Sequence, residues 1–127
     1  MLDESSGVGA TNFAVLKSFL SQFVAKLDVD TGNTRVGLVT YSTSVGTSIY
    51  LNAHSSVVSL QSAISSLSYS AGQYVNTAAA LAYVRTTMLK SSTGARSTAH
   101  KLNVVVLITV GTSTHLKDTQ VRMLSAS

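Results

Sequence analysis

Three histidines, a glycine pair and a wealth of hydroxyls are the residues of this chain whose chemistry must be weighed first. With no cysteine present, His54, His100 and His115 are the only soft-metal donors besides the methionines. They fall in separate loops or helix starts, none at metal-ligand spacing, so solvated or capping roles are expected. Gly7-Val8-Gly9 stands between a strand and a helix as a dinucleotide loop would. Its third glycine is missing, no acidic residue ends the next strand at Tyr41-Ser42, and no Gly-Lys-Ser or Gly-Lys-Thr makes a P-loop. Serines abound, yet none sits in a Gly-x-Ser-x-Gly elbow. Without a convergent acid, base and nucleophile, the chain is read as not an enzyme. Tyr41, Tyr50, Tyr69, Tyr74 and Tyr83 suit core-edge packing or an interface, each having an apolar body and a polar tip.

Charge narrows the partners. Nine Lys and Arg against five Asp and Glu leave a net charge of +4, but the basic residues are scattered rather than gathered on one face with aromatics. That pattern argues against nucleic acid as a partner. The densest neighbourhood, Arg85, Lys90, Arg96, His100 and Lys101, surrounds a predicted helix end, where cations are favoured by the helix dipole. An acidic glycan, such as a sulfated one, is the alternative partner for it. The lack of cysteine removes disulfides and thiolate chemistry together but leaves the redox compartment open. No membrane span and no signal peptide is read in the chain, which reaches polar residues directly after Met1-Leu2, so secretion would be specified by sequence outside it.

The elements that must position these residues centre on Lys101 to Val110. Its apolar run Val104-Val105-Val106-Leu107-Ile108 is too short for a membrane and rich in β-branched residues, so it reads as a parallel strand covered on both faces. Ligands of open parallel sheets bind beyond the carboxyl ends of the strands, which brings Thr109 to Ser113 into any site. Before it, Met1-Leu2 reads as a strand end. Phe13, Leu16, Leu20, Phe23, Val24 and Leu27 make an amphipathic helix with Thr11 or Asn12 as N-cap. Residues 35–42 and 48–52 read as strands joined by a short link, an antiparallel hairpin at one sheet edge. A second helix starts at Ser55 or Ser56 and buries Val57, Leu60, Ala63, Ile64 and Leu67. A third runs from Asn76 or Thr77 to about Lys90, and a fourth from His115 to about Leu124. This alternation predicts an α/β layered fold in one domain over residues 1–127, since 45% of the residues are apolar and a core needs no staples.

Four stretches together carry a resemblance: Leu2-Asp3-Glu4-Ser5-Ser6-Gly7-Val8-Gly9-Ala10-Thr11-Asn12-Phe13, Thr34 to Ser42, Asn76-Thr77 with Ala80 to Arg85, and Gly94-Ala95-Arg96 ahead of Val104 to Thr109. In this order they resemble a von Willebrand factor A domain, most of all the copies in matrilins and non-fibrillar collagens. The resemblance implies a Rossmann-like, mostly parallel sheet with one antiparallel edge strand, flanked by helices. It also implies a metal-ion-dependent adhesion site built from an Asp-x-Ser-x-Ser loop, a threonine in a second loop and an aspartate ending the central strand. Magnesium or manganese at such a site needs about six oxygens.

Three of those five positions differ here. Asp3 and Ser5 match, but Gly7 takes the second serine position, Val75 the threonine position and Val110 the aspartate position. Valine offers no oxygen. Among neighbouring oxygens, Glu4 should alternate away from Asp3, and Thr109 should point opposite to Val110. The expectation is a vestigial site at Asp3 and Ser5 with no cofactor, and the alternative is weak Mg2+ or Mn2+ binding through the same two residues. The resemblance then implies a non-enzymatic protein-binding or structural module of an extracellular matrix or adhesion protein, metal-independent, using the loops from Asp3 to Gly9, Gln73 to Asn76 and Val110 to Thr114. Ser5, Ser6, Tyr74, Asn76 and Thr112 are its expected contact residues, and a matrix protein or a second copy its expected partner. Against the family the chain lacks a full first strand and the C-terminal strands, which leaves the 101–110 strand with an unpaired side, a template for association.

Overall fold

The computed structural model describes residues 1–97, 99, 101–111, 113 and 114. Its sheet has three strands in the order β1 (Leu2–Asp3), β2 (Leu38–Tyr41) and β3 (Val45–Ile49). β1 and β2 run parallel, with Leu2 against Thr40 and Asp3 against Tyr41. β2 and β3 run antiparallel, with a register irregularity between Val39 and Tyr41. The antiparallel edge hairpin expected from the sequence is present, its second strand beginning three residues earlier than the sequence suggests.

Helices cover the sheet on both faces. α1 (Ala10–Val24) and α2 (Val57–Ser65) pack on one side, where Leu2, Val8, Phe13, Val24, Leu38, Ile49, Leu60 and Ile64 form the larger core. α3 (Thr77–Tyr83), continued by a π-helical turn over Val84–Met88, lies on the other with Val39, Val84 and Met88. Side chains alternate along a strand, so Leu38 and Val39 enter opposite cores. The architecture is α/β, mostly parallel and flanked by helices, as the alternation of elements predicts.

Two helix starts agree with the sequence. Ser56 caps α2 by accepting the Ser59 amide, and Asn76 caps α3 by accepting the Ala79 amide. α1 differs. Its cap is Gly9, whose φ of 80° is cheap only for glycine, and the Asn12 side chain instead donates to the Val8 carbonyl. Phe23, expected inside, is exposed and stacks on Phe19 at 5.9 Å between ring centres.

The largest correction concerns residues 101–110. The strand buried on both faces is Leu38 to Tyr41, all four of whose residues are buried. Among the described residues, the ladder pairing of the 101–110 segment with the sheet is the single parallel bridge of Ile108 to Leu2. Met1 donates to the Val106 carbonyl, Ile108 to the Met1 carbonyl and Asp3 to the Ile108 carbonyl. β1 is two residues long, so the ladder cannot extend further. Coverage depends on the elements packed above a strand, and an apolar run alone does not disclose them. The fourth helix expected from His115 to Leu124 lies outside the described residues. Among the described residues, no helix is long and apolar enough to cross a membrane.

Candidate interaction site at the carboxyl ends of the strands

Four loops converge where β1 and β2 end. Ser6 donates to the Gly72 carbonyl at 2.8 Å, and Asn76 to the Ser42 carbonyl at 2.8 Å. The Tyr74 amide donates to Thr43 Oγ1 at 3.3 Å. Val75 accepts from the Thr114 amide at 2.9 Å and from Ser113 Oγ at 3.2 Å. The close approach needs glycine at 72, where any Cβ would meet Ser42 Oγ. Tyr69 holds the first loop from below. Its hydroxyl donates to the Ser5 carbonyl at 2.9 Å and accepts the Gly9 amide at 3.0 Å, while its ring packs on Phe13 at 5.2 Å.

Asp3 is the centre of this region, and it is 0% exposed. Its Oδ1 accepts the Ser5 amide at 2.9 Å, and its Oδ2 accepts the Thr109 hydroxyl at 2.8 Å and the Val110 amide at 3.4 Å. A buried carboxylate is tolerable only when its lone pairs are met, and here neutral donors from two loops meet them. Thr109, set aside in the sequence as pointing opposite to Val110, thus reaches Asp3. In the parallel pairing Asp3 and Thr109 share the face turned toward α3. Glu4 does alternate away, its carboxylate lying beside Gly46 and Thr40.

A second buried hydroxyl continues the network. Tyr41 is fully buried, and its hydroxyl lies 3.2 Å from Thr77 Oγ1. Burial pushes its pKa above 10.0, hydrogen bonds to Thr77 and Thr109 oppose that, and the Asp3 charge adds to it. The sequence reading placed Tyr41 and Tyr69 only among the packing or interface tyrosines and Thr77 only at a helix start, since their bonds join segments far apart in the chain. Among the described residues, Ser5 Oγ is buried with no hydrogen-bond partner.

Both Asp3 oxygens already accept protein donors, Val110 presents an amide and a methyl group where a carboxylate would stand, and Val75 contributes only its carbonyl. Ser5 Oγ and the Thr109 hydroxyl are the side-chain oxygens that stand with them. No group of three acidic, cysteine or histidine side chains able to hold a metal occurs among the described residues.

Of the expected contact residues, Ser6 and Tyr74 are exposed, Tyr74 by 48%, and Asn76 is half-buried in its capping role. Ser5 is buried, so its side chain lies beneath the surface rather than on it. Thr112 lies outside the described residues. The basic neighbourhood is divided. Arg85 and Lys90 are exposed, whereas Arg96 donates to the Gly32 and Asn33 carbonyls at 2.7 and 2.9 Å and Lys101 to the Asn33 carbonyl at 3.2 Å.

Comparison with known proteins agrees with this fold. The sequence profile of the von Willebrand factor type A domain matches residues 1–127. Collagen alpha-4(VI) chain of Mus musculus is 34% identical over 113 residues, 89% of this chain and 5% of that protein. Matrilin-1 of Homo sapiens is 35% identical over 105 residues, 83% of this chain and 21% of that protein. The chain thus spans a small part of these relatives. A crystal form of proximal thread matrix protein 1 from the mussel byssus superposes with a TM-score of 0.89 at 21% identity, over 98% of this chain and 33% of that one. A structure of the same protein with a zinc-occupied MIDAS motif superposes at 0.88 and 21% identity, with the same shares of each chain.

Proposed function

This chain belongs to the von Willebrand factor type A domain family, and we propose that it is a non-enzymatic protein-binding or structural module of an extracellular matrix or adhesion protein, recognising its partner without a bridging cation. The relatives named collagen and matrilin support the setting. One observation carries the metal independence: each oxygen of Asp3 is already bonded inside the protein, by Ser5, Thr109 and Val110. An oxygen that already accepts protein donors has fewer lone pairs left for a cation. Recognition then rests on the loop surface of Ser6, Tyr74 and Asn76 with the residues that follow Val110, and Ser5 acts beneath it. A secondary contact for acidic glycans is confined to Arg85 and Lys90, since Arg96 and Lys101 are bonded to loop carbonyls.

A second reading has its own observation. Ser5 Oγ is buried without a partner beside Asp3, and a weakly held cation would satisfy it. Calorimetric titration with magnesium and with manganese separates the two. The metal-independent reading expects no specific heat, and micromolar binding overturns it in favour of the second. For the surface, Tyr74→Ala is expected to weaken capture of a matrix partner without altering the melting curve; unchanged capture removes Tyr74 from it.

A further inference from the structure

A buried carboxylate without a donor lies one residue from Asp3. Asp3 accepts from Ser5, Thr109 and Val110, Asp28 from the side chains of Thr31 and Asn33, and Asp30 from the Val57 amide. Glu4 is only 3% exposed, yet among the described residues no hydrogen bond or ion pair reaches its carboxylate. Glutamate is seldom buried so deeply unless it is paired, because a charge taken out of water needs donors or a counter-charge in its place. The ladder is opened at this point. Between the pairs Val39 with Ser48 and Tyr41 with Val45, Thr40 alone stands opposite Gly46 and Thr47, a bulge that includes a residue with no side chain. Bulges of this kind re-aim side chains at sheet edges and beside functional sites. A Cβ at position 46 would run into Glu4 Oε1 and stand 2.5 Å from Thr40 Oγ1, so the carboxylate fills the place that a side chain would take. Gly46 and Thr47 are themselves exposed. The Glu4 carboxylate therefore looks out through a gap about one side chain wide.

We propose that this gap receives a lysine side chain of the protein partner, whose ammonium group pairs with Glu4. The proposal rests on the reading of the chain as a protein-binding module and names the chemistry its partner presents to the Asp3 to Gly9 loop. Charge selects a cation. Among the described residues no basic side chain supplies one: Lys17 donates to the Ser65 and Leu67 carbonyls, Arg35 to the Gly94 carbonyl, and Arg96 and Lys101 to the carbonyls of Gly32 and Asn33. Shape selects the kind of cation. A slim alkyl stem ending in a compact ammonium enters an opening of this width more readily than a planar guanidinium does. Hydrogen bonding agrees. An ammonium donates three hydrogens, and Glu4 Oε1 and Thr40 Oγ1 flank the gap as acceptors. Thr40 Oγ1 takes the Thr47 amide at 2.8 Å on one lone pair and keeps the other. A charge pair made away from bulk water discriminates as well as attracts, because a partner with an acidic or apolar residue at that place leaves Glu4 unmet.

Carboxyl-carbon and amide NMR of the full chain, titrated with butylammonium chloride as the free lysine side chain, tests the proposal, with sodium chloride at matched ionic strength as the blank. The expected result is a saturable shift of the Glu4 carboxyl carbon together with the Gly46 and Thr47 amides. In Glu4→Gln the amide shifts should need at least about tenfold more butylammonium. Propylguanidinium chloride, the arginine counterpart, should bind more weakly than butylammonium. Stability gives a second readout. Glu4→Gln removes an unmet charge and keeps the shape, so its melting temperature should match or exceed the parent's, whereas a carboxylate held by an internal donor would lose stability on the same change. A lower melting temperature in Glu4→Gln overturns the proposal. So does a Glu4 carbon that butylammonium fails to move, or one that sodium or magnesium chloride moves as far. Tighter binding of propylguanidinium overturns the choice of lysine. Partner capture by Tyr74 and the heat of magnesium binding are read in their own assays, so the module reading and the Glu4 contact fail separately.

Discussion

Replacing Thr109 with valine removes one hydroxyl from the buried carboxylate and little else, and that makes it the sharpest probe of how Asp3 is held. Asp3 Oδ2 has two donors, the Thr109 hydroxyl at 2.8 Å and the Val110 amide at 3.4 Å, and the second is too long to serve alone. Valine keeps the branched shape, so the change opens no large void. A hydrogen bond to a charged group contributes about 1.5–3 kcal/mol, and the lower part of that range applies because Thr109 itself reaches solvent and water can replace part of the bond. The expected loss is about 1.5–2 kcal/mol, or a melting temperature lower by roughly 5–10 °C for a chain of this size. Urea unfolding in chelator and in millimolar magnesium is the assay. Parent and variant should each give the same midpoint in both buffers, with the variant lower throughout. Asp3→Asn in the same background should show a coupling of at least about 1 kcal/mol, because both changes act on one bond. Thr109→Val with parental stability would show that the carboxylate is held by something else. Magnesium that restored the variant would refute the claim that protein donors stand in the place of a cation.

Three further outcomes follow from neighbouring residues. Val110→Asp places a second carboxylate beside the one whose Oδ2 lies 3.4 Å from the residue's own amide, and its exposure limits the repulsion to on the order of 1 kcal/mol in metal-free buffer; an unchanged melting temperature there would show that the two carboxylates do not repel. Gly46→Ala sets a Cβ against Glu4 Oε1 and 2.5 Å from Thr40 Oγ1, which is already fixed by the Thr47 amide, so a loss of about 1–3 kcal/mol is expected, partly relieved by Glu4→Ala; thermal melts of the single and double variants decide it. Tyr41 keeps its proton in the folded state above its ordinary pKa of 10.0, whereas the unfolded chain releases it, so stability falls as pH rises past about 10. Tyr41→Phe should flatten that alkaline decline in pH-dependent unfolding, and an identical slope would show that Tyr41 does not contribute to it.

How much of this was legible beforehand differs by kind of feature. Capping residues announce themselves because a cap bonds within three positions, and Ser56 and Asn76 did so. The edge hairpin was legible for the same reason, since its register lies within a dozen residues. The departures at Gly7, Val75 and Val110 were visible as residue types, and no arrangement of the chain gives valine a side-chain oxygen. What stayed hidden depended on contacts far apart in sequence. Tyr69 reaches Ser5 and Gly9 across 64 and 60 positions, and Thr109 reaches Asp3 across 106. Which face Thr109 shared with Asp3 followed from a parallel register between segments at opposite ends of the chain. The apolar run at 104–108 identified a strand former, but whether it lay inside or at an edge was decided by the two-residue length of β1 and by where the helices settled. Local chemistry is written in neighbours and can be read from them; burial and hydrogen-bond partnership belong to surfaces that meet only once the chain has folded.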